Sequence, residues 1–185
     1  MNTAGTDAAK PTVVLGVTGS IAAYKAADLT SRLVQAGVEV EVIMTASAMR
    51  LVQPQTFLTL SRRPVVTSLW EMPDWQPGHV ALADRARVLV VAPATANILA
   101  KMAHGLADDA LSTYALSHHG RVVVAPAMNP RMWQHPAVQE NCATLRRRGV
   151  RLVGPARGHV ACGEDGVGRL APIEEVLAAV LEELG

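Results

Sequence analysis

Three side chains sit in short stretches that could do chemistry: His79 in "GHVAL", Asn129 in "PAMN" and Cys162 in "ACG". An imidazole exchanges a proton near neutral pH. A side-chain amide donates to a carboxylate without adding a fixed charge. A thiol in a glycine-rich stretch is open to solvent. Each residue also has an ordinary reading: a histidine that caps a helix, an asparagine that turns the chain before Pro130, and a cysteine that is simply apolar. A fourth feature is a turn. In "VVLGVTGSIAAYKAADL", Val13 to Leu29, Gly16 and Gly19 allow a tight bend and close backbone approach. The helix that begins near Ser20 then points unpaired N–H groups at whatever lies there, and an anion is the natural occupant.

The elements that must position these residues follow from apolar runs of strand length. They recur at Val13 to Val17, Val38 to Met44, Arg87 to Ala92, Arg121 to Ala125 and Val150 to Val153, most of them separated by helical periodicity. This alternation predicts stacked βαβ units. "VLVVA" and "VVVA" are apolar on both faces, so the expected fold is α/β: a Rossmann-like (flavodoxin-like) parallel sheet in a single domain, with helices on both faces. Ligands in such sheets bind at the carboxyl ends of the strands. Four strands end in small or hydroxyl residues, "VTGS", "MTAS", "APATAN" and "APAMN". A dinucleotide fold would place G-x-G-x-x-G at the first turn and a carboxylate after the second strand. Neither is present. Met44-Thr45-Ala46-Ser47 offers hydroxyls for phosphate oxygens, so a mononucleotide such as FMN fits better than NAD.

Two segments resist this scheme. Pro54 to Gly78 carries four prolines and reads as short pieces joined by loops. Gly154 to Arg169 has five glycines and a proline, which forbid a regular helix and predict a mobile loop or flap.

Composition sets the outer bounds. The 185 residues suit one domain, expected over 12–185 after a polar tail at 1–11 that is read as disordered. Half the residues are hydrophobic but only 3% are aromatic, so Val, Leu, Ala and Ile must build the core. No apolar run reaches the roughly 20 residues of a membrane span, and there is no secretory core, so a cytoplasmic protein is expected. The two cysteines, Cys142 and Cys162, match no disulfide or zinc spacing. Cys142, within "VQENCATLRRR", reads as inert. A net charge of +1 with scattered basic residues leaves no footprint for nucleic acid, and the run Arg146 to Gly149 reads as a helix end. His118 and His119 have no metal-ligand spacing, and no metal is expected.

The succession "GVTGSIAAYK", "MTASA", "GHVAL", "APATAN", "GLADDALST", "PAMNPRMW" and "ACGEDGVGRL" resembles, in order and spacing, the homo-oligomeric flavin-containing cysteine decarboxylases. Within that family it is most similar to the branch that acts on phosphopantothenoylcysteine in coenzyme A biosynthesis. The likeness runs from Thr12 to Pro172, and "PAMNPRMW" and the "ACG" flap are its most specific parts. It implies a carboxy-lyase with bound FMN, assembled as a homotrimer or homododecamer whose subunits share active sites. The implied reaction converts 4'-phosphopantothenoylcysteine to 4'-phosphopantetheine through thioaldehyde and enethiolate intermediates.

By the same resemblance His79 matches the catalytic histidine, Asn129 binds the departing carboxylate, and Cys162 donates a proton to the enethiolate. Gly19, Ser20, Ile21, Thr45 and Ser47 match phosphate positions; Ala94, Thr95, Asn97 and Ser112 fall around the ribityl chain and ring. Met128 and Met132 could wall the substrate site or simply pack. Asp108 and Asp109 could be polar contacts or helix caps.

Rival readings remain. An oxidative decarboxylase of a C-terminal peptide cysteine would keep the flavin, although its relatives lack the flap motif. A flavin prenyltransferase would need basic residues for its phosphate, with Arg62 to Pro64 the nearest candidate. A silent binding module would not need His79, Asn129 and Cys162 together, and an NAD oxidoreductase is disfavoured by the first turn.

Overall fold

The structure is a computed structural model describing residues 10–70, 78–159, 163 and 165–185, with 78–81 described by backbone only. From the first strand, β1 (Thr12–Val17), the chain passes through a 3-10 turn (Ile21–Tyr24) into α1 (Lys25–Gln35). It continues through β2 (Glu39–Met44), α2 (Ala46–Met49), α3 (Pro54–Ser61) and β3 (Val65–Val66). The second half runs α4 (Gly78–Arg85), β4 (Ala86–Ala94), α5 (Ala96–His104), α6 (Ala110–Ser117), β5 (Arg121–Pro126), α7 (Pro130–Gln134) and α8 (Pro136–Arg147). It closes with β6 (Arg151–Leu152), β7 (Ala156–His159), β8 (Asp165–Arg169) and α9 (Ile173–Leu184).

Six strands form one parallel sheet in the order β3-β2-β1-β4-β5-β6. Strand side chains alternate between faces, and both faces are dry. Val13, Leu15 and Val17 pack with Leu29 and Leu33 of α1, Phe57 of α3 and Val176 and Val180 of α9. Val14, Leu89 and Val91 pack on the other face with Ile98 and Leu99 of α5, Leu111 and Tyr114 of α6, and Cys142 and Leu145 of α8. The doubly wound α/β expectation therefore holds. So does the reading of Cys142: it is fully buried, and burial pushes its thiol pKa up, away from reactivity.

All five expected strands are present, with small shifts at their ends. Val65–Val66 adds an edge strand that two residues of β-branched sequence could not announce. The glycine-rich segment after Gly154 differs from the expected loop: β7 and β8 pair antiparallel as a hairpin. The run at Arg146 does end a helix, and Arg148 reaches across to donate to the carbonyls of Ala103 at 2.8 Å and Met102 at 3.4 Å in the last turn of α5. Those carbonyls have no partner within their own helix, so a cation there satisfies them.

Candidate functional site

Strand order reverses between β1 and β4, so their carboxyl ends diverge and leave a crevice. Thr18 bridges it. Its buried hydroxyl donates to Pro93 O at 2.7 Å and accepts from Thr95 N at 3.1 Å, tying the two strand ends together. Nothing in its sequence surroundings marks Thr18, because its partners are 75 and 77 residues away.

Each of the four small or hydroxyl strand ends turns out to cap the helix that follows. Ser20 accepts from Ala22 N, Thr45 from Ala48 N, Thr95 from Ile98 N, and Asn129 from Arg131 N and Met132 N. Capping satisfies donors that a helix start would otherwise leave unpaired. It does not exclude ligand binding, since it brings four helix starts to one edge of the sheet. For Asn129 it also sets the chemistry: Oδ1 is held by two backbone N–H groups at 2.8 and 3.1 Å, so the amide NH2 is left as a donor with no partner among the described residues.

A cavity of about 440 Å³ lies along this edge. It gathers Gly19, Ser20, Ile21, Thr95, Met128, Asn129 and Met132, seven of the expected site residues. Gly19 and Ile21 bring amide N–H groups that no described residue accepts. A side chain on Gly19 would collide with Ser47 Cβ, so glycine there lets the turn lie directly on α2. Five expected residues do not line the cavity. Ser47 backs Gly19, Thr45 caps α2, Ala94 is buried at the end of β4, and Asn97 is exposed on α5. Ser112 is buried in a capping box with Asp109, accepting from Asp109 N at 3.1 Å.

Asp108 and Asp109 converge on Lys101, whose Nζ lies 2.5 and 2.7 Å from their carboxylates. Burial alone would raise the Asp109 pKa, but bonds from Lys101 and Ser112 outweigh it and hold the carboxyl below its ordinary value. Both acids are thus engaged in joining α5 to α6. His79 is the second residue of α4, at the expected helix start; its side chain and the whole of Cys162 lie outside the described residues.

The hairpin closes one side of the cavity. Met128 N donates to Gly168 O at 2.9 Å, and a side chain at Gly168 would strike Met128 O, so the strand packs directly on the "PAMN" loop. Gly166 lies as closely on Pro130. Sequence reading treated these glycines as flexibility; the fold uses them for contact. It also adds Tyr24, Lys25, His159 and Arg169 to the lining. The signal for Lys25 and Arg169 was their place inside "GVTGSIAAYK" and "ACGEDGVGRL".

Among the described lining residues none is acidic. Free amides at the turn, hydroxyls at Ser20 and Thr95, and a volume within the usual range for small ligands fit a phosphate-bearing flavin. Sheet order and cavity together define a doubly wound domain built to hold an anionic, mononucleotide-sized ligand. The chain belongs to the Flavoprotein family, whose model matches residues 1–185.

Its curated relatives include the coenzyme A biosynthesis bifunctional proteins CoaBC of Bacillus subtilis, 48% identical over 168 residues, and Vibrio vulnificus, 45% identical over 167 residues. These matches take in 89% and 90% of this chain but only 41% and 42% of the relatives, so the chain spans about two fifths of their length. Among solved structures, the FMN-dependent cysteine decarboxylase SpaF superposes with a TM-score of 0.83 at 35% identity, covering 96% of this chain and 99% of SpaF. A mutant PPC decarboxylase complexed with pantothenoylaminoethenethiol superposes with a TM-score of 0.82 at 29% identity, covering 94% and 97%.

Proposed function

We propose that the protein is an FMN-dependent carboxy-lyase that converts 4'-phosphopantothenoylcysteine to 4'-phosphopantetheine in coenzyme A biosynthesis. The observation that carries the reading is the cavity, with no acid among its described lining residues, that joins the Gly19–Ile21 turn to the amide donor of Asn129. The kinship with CoaBC proteins supports the substrate.

Gly19, Ser20 and Ile21 would hold the cofactor phosphate, and Thr95 would meet the rest of the flavin. Bound FMN would supply a two-electron oxidation of the cysteinyl side chain, placing an electron sink beta to the carboxylate, and would return the same two electrons as hydride after carbon dioxide leaves, so that the cycle is redox-neutral. Asn129 orients that carboxylate through its NH2 group. His79 exchanges the proton that accompanies oxidation, and Cys162 protonates carbon in the enethiolate left after carbon dioxide departs. Met132 presents an apolar wall. Homotrimers or homododecamers would complete the site from neighbouring subunits.

A second reading keeps the flavin but takes a C-terminal peptide cysteine as substrate and leaves the product oxidised; the likeness to SpaF, an FMN-dependent cysteine decarboxylase, is compatible with it. A product mass spectrum after anaerobic incubation with phosphopantothenoylcysteine separates the two. Loss of carbon dioxide alone is expected; loss of carbon dioxide plus two hydrogens, or no reaction, would move the assignment to peptides. Cys162→Ser is expected to convert the first outcome into the second.

A further inference from the structure

The cavity has a charged edge that the chemistry above leaves unused. Three lining residues are basic, Lys25, His159 and Arg169. His159 already faces an acid, with Nδ1 3.5 Å from Asp165 Oδ1. Lys25 and Arg169 have no anionic partner among the described residues; the Lys25 ammonium lies 6.0 Å from the centre of the Tyr24 ring.

A second cavity, of about 350 Å³, adjoins the first, and Tyr24, Lys25 and Arg169 line both. The acids of this second cavity, Asp28 and Glu174, are both bound by Arg32, at 2.9 and 3.1 Å. The throat between the cavities therefore presents two cations to which no carboxylate among the described residues is committed. Both stand on fixed backbone. The N–H of Lys25 closes the 3-10 turn that starts at Ser20, and Arg169 ends β8 beside Gly168, which is bonded to Met128.

We propose that Lys25 and Arg169 form the subsite for the terminal phosphate of the substrate, and that they select the phosphorylated substrate over its dephosphorylated form and over peptides ending in cysteine. The inference rests on the decarboxylase reading. That substrate is anionic at both ends. With its carboxylate at the Asn129 amide, its dianionic phosphate must lie outside the apolar wall of Ala127, Met128 and Met132, since an unpaired charge there would be strongly disfavoured. Two cations at the throat supply charge-assisted hydrogen bonds where the second cavity opens. A peptide ending in cysteine brings the same carboxylate but no fixed second anion, and would leave both cations unused. The Gly19–Ile21 turn, with its neutral amide donors, is a separate cradle suited to the cofactor phosphate.

The test is isothermal titration of the FMN-loaded protein with 4'-phosphopantothenate and with pantothenate, comparing wild type, Lys25→Gln, Arg169→Gln, the double variant and Lys25→Arg. Wild type is expected to prefer the phosphorylated ligand by more than about tenfold, since hydrogen bonds to charged groups are worth roughly 10- to 100-fold each. Each glutamine variant should lose about tenfold of that preference. The double variant should bring the ratio near one, and Lys25→Arg should keep most of it.

Flavin absorbance should show unchanged FMN content throughout. A wild-type ratio of one, equal losses for both ligands, or release of FMN by Lys25→Gln would each overturn the subsite. Wild-type turnover of phosphopantothenoylcysteine is followed in parallel. Preference without turnover would sink the decarboxylase reading and keep the subsite; turnover without preference would do the reverse.

Discussion

Asn129 is placed so that one side chain could serve fold and, under the decarboxylase reading, chemistry at once. Its Oδ1 caps α7 by accepting two backbone N–H groups, which aligns its NH2 as a donor. Two substitutions separate these roles. Asn129→Asp keeps the cap, because a carboxylate accepts the same bonds, but it replaces the donor with a negative charge that repels a substrate carboxylate. Its stability should stay within about 0.5 kcal/mol of wild type by urea unfolding while decarboxylation is lost. Asn129→Ala should lose activity and about 1 kcal/mol of stability together. An active Asn129→Asp enzyme would refute the carboxylate role. The turn at Asn129 was legible in sequence because its bonds reach only two and three positions on, whereas its carboxylate role rests on the resemblance of "PAMNPRMW". Thr18 was not, since its bonds reach across the crevice to Pro93 and Thr95.

At the scale of elements, the hairpin depends on the absence of side chains. Gly168 lies against Met128 O so closely that a methyl group must displace β8 or the loop that carries Met128. Gly168→Ala should break the bond from Met128 N and lift the hairpin. Hydrogen exchange would then show faster exchange at Met128 and along β7 and β8, with the central strands β1 and β4 unchanged. Unaltered protection at Met128 would count against this packing.

The joint between α5 and α6 makes a different demand. Asp109 has its pKa held below the ordinary carboxylate value in the folded state, so its contribution is present above about pH 4 and is lost as pH falls through the lowered value. Asp109→Asn keeps a good cap but loses the charge facing Lys101. It should cost about 1 kcal/mol at pH 7, allowing for partial exposure of the pair. The gap between the two proteins should close as pH falls through that lowered value; a gap that persists once the carboxyl is protonated would exclude the ionic contribution. That the pair Asp108-Asp109 would bind a lysine seven or eight positions upstream was not readable from spacing alone, because a bend separates the two helices.

For the whole molecule, assembly is the property that a single chain leaves to experiment. Leu106 and Leu116 are 55% and 62% exposed, and Leu116 Cδ1 lies 4.0 Å from where a side chain on Gly105 would begin, so it reaches the turn that carries Leu106. Native mass spectrometry should give three or twelve times the 19.6 kDa chain mass, with one FMN per chain; a monomer would overturn the shared-site proposal. The curated relatives run well beyond the region this chain matches.

By itself the sequence determined the layered α/β architecture, the parallel central strands, the inert Cys142 and the small or hydroxyl residues at four strand ends. Those follow from hydrophobic period, strand length and turn chemistry, all of which act between near neighbours. Only the tertiary structure decided which strand ends stand side by side, that Gly166 and Gly168 are contact surfaces, and that Lys25 and Arg169 share a throat. The residues concerned are brought together by the strand order and by hairpin docking, and contacts between segments distant in sequence leave no periodic mark in the chain.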